Sequence, residues 1–524
     1  MTTPQPYERV VAAMRRPSLY SPPPDGVDIR ETHTSMVFLA GDRAYKLKKP
    51  VQMPFLDYST AERRRHFCRE EVRLNSRFAP DVYLGVQAVA PRDGELGLAA
   101  EEAPGAVDYV VVMRRLDEDA TLERLVERGA ADASLAARIG RAVAAIHMTA
   151  ERTPGYWSPG YVAGRLRENF DTTAPDVGAL IDPLTFDSVK RFATAFLDGH
   201  VRLFEQRAAA GAIRDAHGDL RAEHIVVEPG QLTIVDCIEF DDCLRRIDVA
   251  ADLAFLTMDL ERLGARDLAG VVERAYAERT GDGDLSALMP FYGCYRAWVR
   301  GKVAALRLRQ LGPRDPEREA LAARARDLFA LAQRLAWRSR LPLVLVFCGV
   351  GATGKSTIAA ELHRRTGLPH VSSDRVRKEL AGIPVGERAA PSLYADEHTR
   401  RTYAELGRQA TAAVGAHGGA IVDATFSTRA HRTGLSGRLR PSGARILWLE
   451  CAAPPDVLRR RAAARAARPE HGSDATWPVI AAQLEAREPL DELEPANALR
   501  LCTDRPLEDC LDEVDRFVSA ACDR

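Results

Sequence analysis

One stretch constrains the chain more than any other: Gly349-Val350-Gly351-Ala352-Thr353-Gly354-Lys355-Ser356. It follows an apolar run, Leu341–Phe347, and precedes a helical pattern, Thr357–Thr366. A strand that breaks into glycines and then enters a helix turns backbone N–H groups toward one point. The helix N-terminus adds partial positive charge there. Such a loop cradles a polyphosphate, with Lys355 reaching the β/γ-phosphates and Ser356 holding Mg²⁺. The expected nucleotide contacts are Gly349, Gly351, Ala352, Thr353, Gly354, Lys355, Ser356 and Thr357. Only seven lysines stand among the 73 Lys+Arg residues. A chain that uses arginine almost everywhere has placed a compact point charge here.

Bulk properties narrow the remaining possibilities. At 524 residues the chain has room for two to four domains. A hydrophobic content of 46% supports real cores, and a net charge of −1 gives no global attraction to nucleic acid or membrane. No apolar run reaches the length of a membrane span, and Met1–Tyr7 is polar, without an apolar signal core. The nine cysteines are scattered and form no C-x-x-C pair, which leads us to expect a reduced, cytosolic protein.

Residues 1–27 are Pro-rich and read as an irregular segment. A hairpin follows: Ser35–Ala40, a Gly41-Asp42 turn, and Arg43–Lys49. Three of the seven lysines, Lys46, Lys48 and Lys49, sit in its return strand. Strand alternation puts Lys46 and Lys48 on one face, with Tyr45 and Leu47 on the other. Thr60–Phe78 reads as a helix carrying Glu70 and Glu71. Val82–Val89 and Val107–Met113 read as strands, and Leu135–Thr149 as an apolar-periodic helix whose His147 is expected to be a satisfied core histidine.

The next informative piece is His217-Gly218-Asp219-Leu220-Arg221-Ala222-Glu223-His224, a polar loop leading into a short hairpin that ends on Asp236. The two carboxylates suit one base or orienter and one metal ligand. This loop resembles the catalytic loop of the aminoglycoside phosphotransferases, which share the protein-kinase fold. That family's pattern is H-G-D-x-x-x-x-N followed by an Asp at a strand end, and His217, Gly218, Asp219 and Asp236 match it. The resemblance implies that Asp219 orients or deprotonates an acceptor hydroxyl and that Asp236 holds Mg²⁺. It further implies that Lys46, with Lys48 as the fallback, contacts the α/β-phosphates and pairs with Glu71. Glu71 is preferred to Glu70 because Leu74 and Phe78 follow it at core spacing. The family's Asn, a second metal ligand, is His224 here. Two readings follow: a working kinase with a variant metal site, or a nucleotide-binding module that has lost turnover. Glu239, Asp241 and Asp242 read as loop or capping acids, and Asp248 and Asp252 as ion-pair partners of Arg245 and Arg246.

Residues 249–337 are mostly helical. From Leu343 the pattern alternates, with strands at 343–348, 368–372, 419–423, 444–450 and 497–502. This is an α/β parallel sheet with helices on both faces, the strand before the glycine-rich loop being central. Asp374 and Arg377 lie one helical turn apart after the second strand. An Asp there can take a hydroxyl proton, and an Arg can clamp a phosphate. This half resembles the AAA-type P-loop small-molecule and polynucleotide kinases, an adenylate-kinase-like group that includes gluconate kinases and is related to zeta toxins. The resemblance implies a lid at about 455–490 whose Arg461 and Arg465 close over the transferring group. Asp423, at the end of the third strand, is expected to orient Mg²⁺.

The expectation is therefore an α+β protein-kinase-like domain, 28–338, followed by an α/β P-loop kinase domain, 341–524. It is an ATP- and Mg²⁺-dependent phosphotransferase acting on a hydroxyl of a small-molecule acceptor, with no membrane or nucleic-acid partner. The alternative is a P-loop kinase for nucleotides or nucleic-acid ends, with a regulatory first half. The sequence carries no basic groove with aromatic platforms of the kind end recognition needs.

Overall fold

The computed structural model describes residues 6–53, 56–384, 387, 390–466 and 476–522. Two compact units emerge. One comprises Met1–Val162 with Arg202–Arg296, and the other Ala163–Val201 with Ala297–Arg524.

The first unit holds a six-stranded antiparallel sheet in the order Val27–Glu31, Ser35–Ala40, Arg43–Lys48, Asp108–Arg114, Tyr83–Arg92, Glu95–Ala100. The two outer strands, Val27–Glu31 and Glu95–Ala100, carry no fully buried residue, and neither is among the strands expected from the sequence. One sheet face packs Phe38, Tyr45, Leu47, Val110 and Val112 against Val10 and Met14. Those two residues belong to a helix, Pro6–Met14, inside the segment read as irregular. The apolar spacing Val10, Ala13, Met14 gives that helix a face to bury, which the surrounding prolines obscured. The other sheet face meets the helix Ala61–Asn75, which Thr60 caps by accepting from the Arg63 N–H. Beyond the sheet lie the helix Ala133–Thr149, the hairpin Ile225–Glu228 with Gln231–Ile234, and the helix Val249–Arg262.

In the second unit, five parallel strands run in the order His370–Ser372, Gly419–Asp423, Leu343–Cys348, Arg445–Ala452, Ala498–Cys502. The strand before the glycine-rich loop is central and wholly buried, as expected of an apolar run sandwiched between helices. Residues 163–201 and 297–338, read from sequence with the first half, cluster in the unit that holds this sheet. The physical reason is a buried charge cluster: Ser188, Arg191 and Arg340 all donate to Asp515 on the final helix. Trp337 joins the core formed by Leu343, Leu345 and Phe347.

Candidate active sites

In the first unit, strand alternation sends Tyr45 and Leu47 into one core and turns Lys46 and Lys48 to the face under the helix Ala61–Asn75. Glu71, fully buried on that helix, takes both lysines. Lys46 Nζ lies 2.8 Å from Oε1 and Lys48 Nζ 2.6 Å from Oε2. Glu70 faces outward to Arg73. The two lysines differ in what else they reach. Lys46 Nζ is 2.6 Å from Oδ1 of Asp236, whose side chain is 45% exposed. Lys48 is sealed between Glu239 and Tyr58. Glu239 is therefore no solvated loop acid, its side chain being 7% exposed. Burial alone would lower both ammonium groups, but the carboxylates around them outweigh it and hold both well above the usual lysine range.

The loop His217–His224 is fastened from below by the helix Val249–Arg262. The fully buried Asp252 accepts the His217 and Gly218 N–H groups at 2.9 Å each, and Asp259, two turns on, accepts the Ala222 N–H at 3.1 Å. His147 holds the other side of Asp252, 3.1 Å from Nε2, and its Nδ1 lies 2.9 Å from the Tyr276 hydroxyl. Asp252 thus serves the loop backbone and pairs with neither Arg245 nor Arg246. Asp248 pairs with Arg207, and Arg245 with Asp215 and Asp242. Gly218 takes φ +85°, and a Cβ there would stand 2.8 Å from the Leu244 carbonyl, so only glycine fits. The His217 Nδ1 accepts from the Asp219 N–H, which leaves Nε2–H to donate to the Val235 carbonyl at 2.9 Å. Burial holds this ring below the usual histidine range.

These anchors present Asp219, His224 and Asp236 together. Asp236 sits at φ +65°, a left-handed position that Asp tolerates, and takes the Tyr83 hydroxyl on its N–H. A half-exposed carboxylate whose Oδ1 is held by Lys46 suits a hard cation. Burial would raise its pKa, but Lys46 outweighs that and holds it far below the usual carboxylate range. His224 Nδ1–H donates to the Asp219 carbonyl at 2.8 Å, so Nε2 carries the lone pair. That lone pair lies 3.6 Å from Asp236 Oδ2 but 3.2 Å from Arg221 Nη2. Burial, then the Arg221 charge, lowers the His224 pKa to about 4. Arg221 also forks onto Asp219, Nε to Oδ1 at 2.9 Å and Nη2 to Oδ2 at 2.8 Å.

In the second unit Phe347, Asp423 and Ser372 stand in register at the C-terminal edge of three adjacent strands. The glycine-rich loop, Asp423 and Asp374 therefore share that edge. Gly349 takes φ +138°, and a Cβ there would lie 2.5 Å from the Cys451 carbonyl. Thr353 Oγ1 donates to the Val350 carbonyl at 2.9 Å and Lys355 Nζ reaches the same oxygen at 3.4 Å. Lys355, Ser356 and Thr357 open the helix Lys355–Thr366. The Gly351 N–H, one of the expected phosphate donors, is taken by Gln483 Oε1 at 2.9 Å. Arg461 approaches the Ala352 carbonyl at 3.5 Å and donates to the Thr503 carbonyl at 2.5 Å. Arg465 follows on the same helix; its side chain, and residues 467–475 of the expected lid, lie outside the described residues.

Asp423 is buried, and among the described residues neither carboxylate oxygen has a hydrogen-bond partner. His370 Nε2 stands 3.6 Å away. Burial would raise its pKa, yet His370, Lys355 and Ser356 outweigh it and keep the group ionised. An ionised carboxylate beside Ser356, with neither oxygen in a hydrogen bond among the described residues, fits a site for Mg²⁺, a cation that keeps its waters and is bound by few protein oxygens. On the helix Ser373–Ala381, Asp374 Oδ2 lies 3.6 Å from the fully buried Lys378, and the Arg377 guanidinium lies 4.3 Å over the Tyr394 ring. Lys378 was not singled out in the sequence, although lysine rarity was the available signal.

Comparisons with known proteins bear on the two domains. The profile of the phosphotransferase enzyme family matches residues 40–291, and that of an AAA domain matches residues 344–490. An uncharacterized protein of Mycobacterium tuberculosis is 35% identical over 472 residues, covering 88% of this chain and 90% of its own. Among solved structures, a choline/ethanolamine kinase family protein from Mesorhizobium loti aligns with 63% of this chain and 99% of its own, at 14% identity and a TM-score of 0.38. A gluconokinase from Sinorhizobium meliloti aligns with 34% of this chain and 93% of its own, at 19% identity and a TM-score of 0.26. No helix among the described residues is long and apolar enough to cross a membrane. The chain belongs to the family of that mycobacterial protein, and joins a phosphotransferase-enzyme-family domain to a following P-loop kinase domain of the AAA type.

Proposed function

We propose that the chain is a bifunctional ATP-dependent phosphotransferase whose halves each transfer the γ-phosphoryl group of ATP to a hydroxyl of a small-molecule acceptor. The observation that carries this reading is the buried, ionised Asp423, whose oxygens make no hydrogen bond among the described residues, near Ser356 and Lys355 after the glycine-rich loop. In the second half, Lys355 and the loop N–H groups from Gly349 to Thr357 bind the phosphates. Ser356 and Asp423 hold Mg²⁺, which neutralises charge on the phosphates when bound. Asp374 takes the acceptor proton, with Arg377 and Arg461, and Arg465 on the same helix, drawing the anionic groups together. In the first half, Lys46, braced by Glu71, binds phosphate, Asp236 holds Mg²⁺ and Asp219 faces the acceptor. Lys48 braces Glu71 and Glu239.

A second reading of the first half has one observation in its favour. Arg221 forks both oxygens of Asp219, the group that would have to meet the acceptor. In that reading the first half binds nucleotide and regulates the second. Transfer of labelled phosphate from ATP to a panel of sugars, aminoglycosides, nucleosides and oligonucleotides separates the two. Products lost only in Lys355→Ala belong to the second half, and products lost only in Asp219→Ala make the first half a working kinase. An Asp219→Ala protein that keeps every product favours the regulatory reading. Oligonucleotide products alone would move the acceptor to nucleic-acid ends.

A further inference from the structure

Kinase-like sites of the H-G-D pattern place an Asn where this chain has His224, and the resemblance would make that position a ligand of a second metal ion. The local geometry does not fit that role. His224 offers one lone pair, on Nε2, because Nδ1–H is committed to the Asp219 carbonyl at 2.8 Å. Arg221 Nη2 already stands 3.2 Å from that lone pair. The same guanidinium takes both Asp219 oxygens, at 2.9 and 2.8 Å, and also contacts Glu223. Arg221 is 7% exposed, so this is a built-in cation and not a surface side chain that happened to fold over. Its planar fork matches a carboxylate on one edge and leaves an N–H for the imidazole. Asp236, by contrast, has Oδ1 on Lys46, Oδ2 3.6 Å from His224 Nε2, and a side chain 45% exposed. Nothing comparable fills its exposed edge among the described residues.

We propose that in the first half the Arg221 guanidinium stands in for the second divalent cation, so that this site binds ATP with one metal ion, on Asp236. The substitution of His for Asn and the presence of Arg221 are then one change. A soft, neutral imidazole is a poor Mg²⁺ ligand but a good acceptor for a guanidinium. A fixed positive charge at that place supplies the electrostatic work of the ion without its entry or exit. The inference rests on the reading that the first half is a nucleotide–metal site, whether or not it turns over.

Counting bound Mn²⁺ tests it without any assay of activity. The full-length protein carrying Lys355→Ala, so that the contribution of the second half is the same throughout, is saturated with the β,γ-imido analogue of ATP. Free Mn²⁺ is then read by its EPR signal. Adding Asp236→Asn should lower the count by one. Adding Arg221→Ala with His224→Asn should raise it by one, since an oxygen ligand replaces the ring and the resident charge is gone. Arg221→Lys, which keeps the charge in place, should leave the count unchanged and guards against a variant that merely misfolds. A loss of two ions with Asp236→Asn, or an unchanged count in Arg221→Ala/His224→Asn alongside a normal Asp236→Asn result, overturns the inference. So does an added ion in Arg221→Lys. No loss with Asp236→Asn overturns instead the underlying reading of the first half as a metal site.

Discussion

The two candidate sites solve one problem with different materials. The P-loop half surrounds its phosphate position with backbone: glycines at positive φ, N–H groups, and one lysine at a helix start. The first half uses side chains for the same job. Two lysines share one buried Glu71, and an aspartate is held on two edges by one arginine. A backbone cradle is local in sequence and tolerates change around it, whereas a side-chain cradle depends on residues 46, 71, 219 and 236 meeting across the fold. The difference teaches where each half is fragile. The loop is broken by one bad φ or one missing lysine, and the kinase-like site by any loss of a distant anchor.

The sharpest way to break the comparison is a reciprocal pair of variants. Lys355→Ala should cost the second half's product about 10²- to 10³-fold, the scale of one electrostatic donor to the transferring group. It should leave the first half's product alone. Asp219→Ala should cost the first half's product about 10²- to 10⁴-fold, the scale of a general base. Single-turnover rates with labelled ATP read both. If either variant depresses both products, the halves are not separate sites.

The next effect is on stability. Asp252 is buried and accepts two loop N–H groups and a histidine. Asp252→Ala would strand all three, and uncompensated buried groups of this kind cost about 3–5 kcal/mol. Urea unfolding followed by tryptophan fluorescence should show an early transition in this variant. A change under about 1 kcal/mol would mean that the loop is not hung from that helix.

How much of this was legible beforehand follows the same contrast. The glycine-rich loop, its strand and its central place in the sheet were readable because their spacing is contiguous. The two lysines were readable because lysine is rare in this chain. Asp252 and Asp259 were missed as anchors, though seven-residue spacing on an otherwise apolar, buried helix is the signature of carboxylates kept for backbone groups. Glu239 was misread because three acids within four residues look solvated, and only tertiary packing seals one of them on Lys48. Arg221 lay inside the motif that was read, but a contact two residues away has no periodicity to betray it. The packing of 163–201 against the parallel sheet could not be read either, since Asp515, its anchor, lies more than 300 residues along the chain.

A pH titration of stability sharpens the picture of a charge-packed first site. His224 has a folded pKa of about 4 against an ordinary value of 6.5. Between those values the unfolded chain binds a proton at His224 that the folded chain refuses. Stability therefore falls as pH drops through that window and is regained above it. From pH 7 to pH 5 this one group should remove about 2 kcal/mol. Urea midpoints of the wild type and His224→Asn at the two pH values isolate it, because the other titrating groups are common to both. A wild type no more pH-sensitive than His224→Asn would place the ring in solvent or charge it in the fold.

The smallest effect concerns which protein group is bonded at each candidate site. In the first half the occupant is Arg221, ion-paired and buried. In the second it is the neutral Gln483, whose Oε1 takes the Gly351 N–H at 2.9 Å, where a phosphate oxygen would otherwise accept. A neutral hydrogen bond is worth about 0.5–1.5 kcal/mol net, so its loss to an entering phosphate is cheap. Gln483→Ala removes the competitor, and ATP affinity of the second half should rise by about two- to tenfold, with the first half's affinity unchanged. Calorimetric titration in an Asp236→Asn background would report the second half's site. Weaker binding in Gln483→Ala would mean that the amide stays and contacts the nucleotide, making it part of the cradle and not its placeholder. The contrast between an exchangeable neutral occupant and a fixed charged one would then have to be given up.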